Sequence, residues 1–203
     1  THPQFFDQHP ELLETISVTH PYGGRAIPLA ERQTVALREK LKLAESRLVE
    51  LLQFGEENDA ISEKVHRLSV ALAGARDFPA LASSLYFHLR EDFAVPHVAL
   101  RVWGKSVAAD FDEAKPVDDA QKQHAETMGA PQCGPAAGNP FVPWFGESSG
   151  QLRSIALVPL GQTAVFGLLA LGSEDPKRFF PEMGTLYLRR IGELCAAGVT
   201  ARL

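Results

Sequence analysis

The chain has 203 residues, a formal net charge of −5, and 45% hydrophobic against 22% charged residues. That balance excludes a wholly disordered chain, and the acidic excess argues against a surface built to grip a phosphate backbone, so nucleic acid is not expected as a partner. No apolar run approaches the roughly 20 residues that cross a bilayer, and the two cysteines, Cys133 and Cys195, suit a reducing compartment better than a disulfide scaffold.

The N-terminal residues show no basic, apolar, small-residue order of a signal peptide, so a cytoplasmic protein without membrane contact is expected. Phe5-Phe6 precedes a short helical pattern in which Pro10 suits the first turn and Leu12, Leu13 and Ile16 form one side. His20 to Pro28 carries two Pro and two Gly and reads as a loop.

From about Leu29 to Ala75 there is no proline, and the residues are mostly good helix formers. A heptad frame places Leu37, Ala44, Leu51, Asn58, Val65 and Leu72 at one seam position. Leu41, Leu48, Gly55, Ser62 and Ser69 take the other, so the seam weakens in its second half and a break or stutter is expected near Gly55 and Asn58. Such a stripe cannot remain uncovered in water. A second copy of the chain is the simplest cover, giving a homodimer through Leu37, Leu41, Ala44, Leu48, Leu51, Asn58, Val65 and Leu72; folding back on the C-terminal domain is the alternative. Asn58 either fixes the dimer register or is merely solvated. This segment, residues 1–76, is expected to precede one compact domain, residues 77–203.

The domain starts with a capping signal at Asp77-Phe78-Pro79 and a helical stripe of Phe78, Leu81, Ala82, Leu85 and Leu89. Val95 to Trp103 alternates as a strand, with Val98, Leu100 and Val102 on one side and His97, Ala99, Arg101 and Trp103 on the other. Gly104 to Pro116 reads as a turn with a weak edge strand, and Val117 to Met128 as a short helix. Gly129 to Gly150 is rich in Gly and Pro and reads as a loop, yet it carries Phe141, Val142, Trp144 and Phe145. Ser154–Leu160 and Ala164–Gly172 are apolar on both sides, as central strands are. A last helix is expected from Pro181, with Tyr187, Leu188, Ile191, Leu194, Cys195 and Gly198 on its inner stripe.

This order resembles a GAF-type domain, a relative of the PAS fold. More specifically, the chain is similar to the DUF484 family. The likeness rests on Phe5-Phe6 with His9-Pro10-Glu11-Leu12-Leu13, Glu31-Arg32-Gln33, Leu37-Arg38, Glu57-Asn58 and Cys133-Gly134. Ser154 to Leu160, Gly167 to Ser173, Arg178-Phe179 and Met183-Gly184-Thr185 complete it. The resemblance implies an α/β (α+β) fold: a GAF/PAS-like antiparallel sheet flanked by helices, after a long N-terminal coiled-coil helix. It implies no reaction. The Asn-Lys…Phe…Asp-Glu signature of cyclic-nucleotide-binding GAF domains has no counterpart here, and Cys133 lacks the surroundings of a bilin-attachment cysteine. The cofactor is therefore unknown.

Seven histidines show no pairing at i, i+3 or i+4, and no Cys-x-x-Cys, phosphate-binding glycine loop or Gly-x-Ser-x-Gly elbow occurs. The candidate ligand-binding residues are His97, Arg101, Trp103, Met128, Cys133, Phe141, Trp144 and Phe145. Each has a plainer alternative: His97 as an edge-strand residue, the aromatics as ordinary core, Cys133 as a small residue under the loop. A non-catalytic sensor or binding module is the leading reading, with a small molecule or a protein as partner. A ligand-free interaction scaffold comes second. A thiol enzyme using Cys133 with His97 or His124 as base comes last.

Overall fold

In the computed structural model, residues 29–104, 111–161 and 164–203 are described. The expected helix before Pro28, the loop from His20 and the edge strand after Gly104 fall wholly or largely outside them. The chain divides between Phe54 and Gly55 into two compact units.

Helix α1, Leu29–Gly74, runs unbroken for 46 residues, through both Gly55 and Asn58. One interior glycine costs about 1 kcal/mol, too little to end a helix so rich in strong formers. In the first unit its apolar side chains lie open: Leu37 is 65% exposed and Leu48 57%. In the second unit Leu68 is 0% and Leu72 2% exposed, and both join the domain core with Val65 at its margin. The helix ends on a cap supplied by the far end of the chain. Arg202 donates from Nη2 to the carbonyls of Leu72 (2.9 Å) and Ala75 (2.7 Å) and from Nε to Ala75 (3.0 Å). These bonds satisfy carbonyls that a helix C-terminus leaves without partners.

Helix α2, Phe78–Glu91, begins where expected, with Asp77 accepting from the Ala80 N–H at 2.8 Å. Phe78, Leu81, Ala82, Leu85 and Leu89 are all buried, so the stripe read from the sequence is the packed one. Ala94, at φ 52°, turns the chain out of this helix in the left-handed region that glycine normally takes.

Four strands follow: β1, His97–Val102; β2, Gln132–Pro135; β3, Ser154–Leu160; and β4, Gly167–Ser173. They pair antiparallel in the order β1-β4-β3-β2. The short β2 lies inside the segment expected to be loop; its Pro135 is tolerated because, of the described strands, β2 pairs only with β3. Every residue of β4 is buried, as a central strand's must be. Helix α3, Asp119–Thr127, precedes β2, and a kinked 3-10 segment, Val142–Gly150, bends at Gly146 (φ 59°) before β3. Helix α4, Leu186–Thr200, starts later than Pro181 because residues 181–182 form a turn instead. Gly192 lets α4 approach β3 so closely that a Cβ there would lie 2.5 Å from Val158 Cγ1.

The strand alternation divides the core in two. Leu100, Val102, Ala156, Val158, Leu160, Leu169 and Leu171 face α2, α4 and the end of α1. Ala99, Ile155, Leu157, Leu168 and Ala170 face Ala125, Met128 and Phe141. We call these the helix face and the loop face.

Candidate functional site

The loop face gathers most of the candidate residues. Its sheet residues are small at the centre, Ala99 and Ala170 among them, and aromatic rings from the segment after β2 fill the space. Phe141 is fully buried. Its ring meets Trp144 edge-on at 5.0 Å and His124 at 5.4 Å, geometry that aromatic quadrupoles favour. Gln121 ties this cover to α3: its Oε1 accepts from Trp144 Nε1 at 3.3 Å, and its Nε2 donates to the Pro140 carbonyl at 2.7 Å. Phe145 sits over Gly172, where a Cβ would come 3.3 Å from its ring.

Arg101 is the unusual member. It is 8% exposed, in a place where a cation needs compensation. Its Nη1 donates to the Leu100 carbonyl at 2.8 Å, and its guanidinium lies 5.5 Å from the Trp144 ring centroid. It takes part in none of the ion pairs among the described residues. Two residues on, Trp103 keeps its Nε1–H buried without an acceptor. His97 Nε2 is also buried without a hydrogen bond, 3.6 Å from Glu174 Oε1. Six residues of extended chain separate His97 from Trp103, roughly 20 Å, so one small molecule does not reach both. Arg101, Trp103, Phe141 and Trp144 therefore form one group near the end of β1, with Met128 in the same cluster; His97 and Phe145 mark the other end.

Cys133 lies apart from all of these. It pairs with Ala156, whose side chain is on the helix face, and packs against that core. Burial pushes its thiol pKa up, the opposite of thiolate activation. His97 and His124, the two conceivable bases, belong to the loop face. Cys195 is buried on α4 and burial pushes its thiol up to about 12.

The sequence did not single out one pair: the half-buried Tyr86 donates to Glu113 Oε1 at 2.5 Å, and Glu113 is 6% exposed. Burial first, then Glu113, raises the Tyr86 hydroxyl pKa. Glu113 stands in a polar stretch with no periodic signal, so nothing local marks it as buried. Among the described residues, no three His, Cys, Asp or Glu side chains are placed to hold a metal, and no helix is long and apolar enough to cross a membrane.

Comparison with known proteins agrees with this architecture. The crystal structure of the A. aeolicus nlh2 GAF domain in an inactive state superposes with a TM-score of 0.51, covering 72% of this chain and 99% of that one, at 16% identity. At that identity the likeness shows the fold: a GAF-like mixed α/β domain with a long N-terminal helix. A Salmonella typhimurium (strain LT2) relative, "Uncharacterized protein YigA", is 21% identical over 197 residues, 94% of this chain and 83% of the relative. The family model described as "Protein of unknown function, DUF484" matches residues 1–200, and the chain belongs to that family.

Proposed function

We propose that this protein is a non-catalytic sensor module whose loop face binds a small molecule bearing an anionic or carbonyl acceptor, and which signals through a homodimer of α1. The observation that carries the ligand half is the pair of donors at the end of β1. Arg101 is buried and in none of the salt bridges among the described residues, although its charge is felt by Asp112 and by the Tyr86 hydroxyl, and the neighbouring Trp103 Nε1–H is buried without an acceptor. A ligand acceptor between them would satisfy both, and the part-exposed Trp144 ring, backed by Phe141, would pack on its flat or apolar part. The dimer half is supported by the open apolar side chains of α1, among them Leu37, Leu41, Leu48 and Leu51. Residues 55–74 of the same helix belong to the domain, so repacking there is carried directly into α1.

A thermal-shift panel of anionic aromatic and acyl metabolites tests the ligand half. At least one member should raise the melting temperature, by about 2.7 kcal/mol of stabilisation at a hundredfold excess over Kd. Arg101→Gln and Trp103→Phe should each abolish that rise. A flat response from the whole panel overturns the reading. The full burial of Phe141 favours a second reading, a ligand-free interaction scaffold whose loop face is already filled. On that reading the panel stays flat while the dimer persists.

A further inference from the structure

The geometry points to a second binding site, on the helix face, for an amphipathic carboxylate: an aliphatic chain ending in one carboxylate group. A cavity of about 370 Å³ opens there between the domain part of α1, the end of α2 and the start of α4. Its size lies within the range of about 300–1,000 Å³ typical of ligand pockets. Its walls are apolar, with Ile61 from α1, Leu89 from the end of α2 and Phe93 just past it, Phe179 and Met183 from the segment after β4, and Leu188 from α4. It shares no residue with the loop-face group and does not depend on the function proposed above.

The charges at this cavity select the occupant. Two cations line it, Lys64 and Arg178, and no acidic residue does, in a chain whose net charge is −5. The Lys64 ammonium takes part in none of the salt bridges among the described residues. The nearby acid that feels its charge, Asp92, is already held by Arg67 and His88. Arg178 donates one N–H to the Phe93 carbonyl, which anchors its guanidinium beside the apolar wall. An aliphatic body in the cavity would remove apolar surface from water, and its carboxylate would take up the Lys64 ammonium. A neutral occupant would leave that ammonium unmatched, and a cationic one would be repelled. Because Ile61 and Lys64 lie on α1 while the other walls come from the domain body, occupancy fastens this part of α1 to α2 and α4.

Calorimetric titration of the full chain with octanoate, octanol and octyltrimethylammonium, all below micellar concentration, tests the site. Octanoate should bind saturably, one per chain, and both other probes should bind about tenfold more weakly or not at all. Lys64→Gln should weaken octanoate to the level of octanol, and Ile61→Trp, which fills the cavity, should abolish its binding. Arg101→Gln should leave octanoate binding unchanged, which separates this site from the loop face. Equal binding of the three probes, no saturable octanoate binding, or full octanoate binding in Lys64→Gln overturns the proposal. If Ile61→Trp does not fold, as judged by circular dichroism, the Lys64→Gln comparison decides.

Discussion

The two halves of α1 form one continuous helix and meet opposite fates. Leu37, Leu41, Leu48 and Leu51 are each more than half exposed, whereas Leu68 and Leu72 are at or below 2%. Helix continuity does not separate them, and the composition runs against the outcome: the leucine-rich first half is the open one, and the second half, with Gly55, Ser62 and Ser69 on its seam, is the covered one. What differs is the supply of a partner. The second half has its own sheet and helices to cover it; the first half leaves nine large apolar side chains, from Val35 to Phe54, in contact with water. An apolar stripe read from sequence thus says that a cover exists, but not whether the cover is the same chain or another.

Substitutions that treat the halves alike should expose the difference. Leu68→Ala empties a fully buried site and should cost about 2–5 kcal/mol, read as a lower urea midpoint with unchanged slope. The Leu41→Ser, Leu48→Ser double substitution should leave the domain's stability within about 0.5 kcal/mol of wild type. It should instead shift sedimentation from dimer towards monomer. A destabilised domain, or unchanged sedimentation, would break the distinction between the halves. Arg202→Gln should sharpen it from the other side: the cap on the Leu72 and Ala75 carbonyls is lost, at about 1–3 kcal/mol for bonds from a charged donor. Hydrogen exchange should then quicken at the end of α1 and not in residues 37–51.

The fold was legible wherever one period persisted long enough to count. The five-residue stripe of α2 and the alternation of β1 emerge as read, because α2 buries one face and β1 sends alternate residues to the two faces of the sheet. Strand β2 was not legible. Four residues bounded by proline carry no usable period, and Gly134 and Pro135 argue for a loop. That omission has a consequence for the site: without a strand there is no face to assign, so Cys133 was grouped with residues that prove to lie across the sheet. Arg101, Trp103, Phe141 and Trp144 were legible together because alternation placed the first two and aromatic loop composition the others. The Lys64–Arg178 cavity was not. Its walls come from residues more than a hundred positions apart, and nothing in a local window links them.

The smallest expected effect concerns how the domain half of α1 is tied to α2. Arg67, on α1, donates to Asp92 Oδ1 at 3.1 Å, and His88 Nδ1 lies 2.6 Å from Asp92 Oδ2. The His88 bond, and after it the charge of Arg67, hold the Asp92 carboxyl below its ordinary 3.8 despite opposing burial. A carboxyl whose folded pKa is depressed contributes stability that is complete above the unfolded value and is lost as pH falls through the folded one. The pair is partly exposed, with Arg67 at 50%, so its worth is about 0.2–1 kcal/mol. Asp92→Asn should therefore lower the urea midpoint slightly at pH 7, and the gap from wild type should narrow once the pH drops below about 3.8. A gap of the same size at pH 7 and pH 3 would mean that the carboxylate charge plays no part in holding α1 to the domain. The apolar contacts of Val65, Leu68 and Leu72 and the Arg202 bonds would then hold it there without help from that charge.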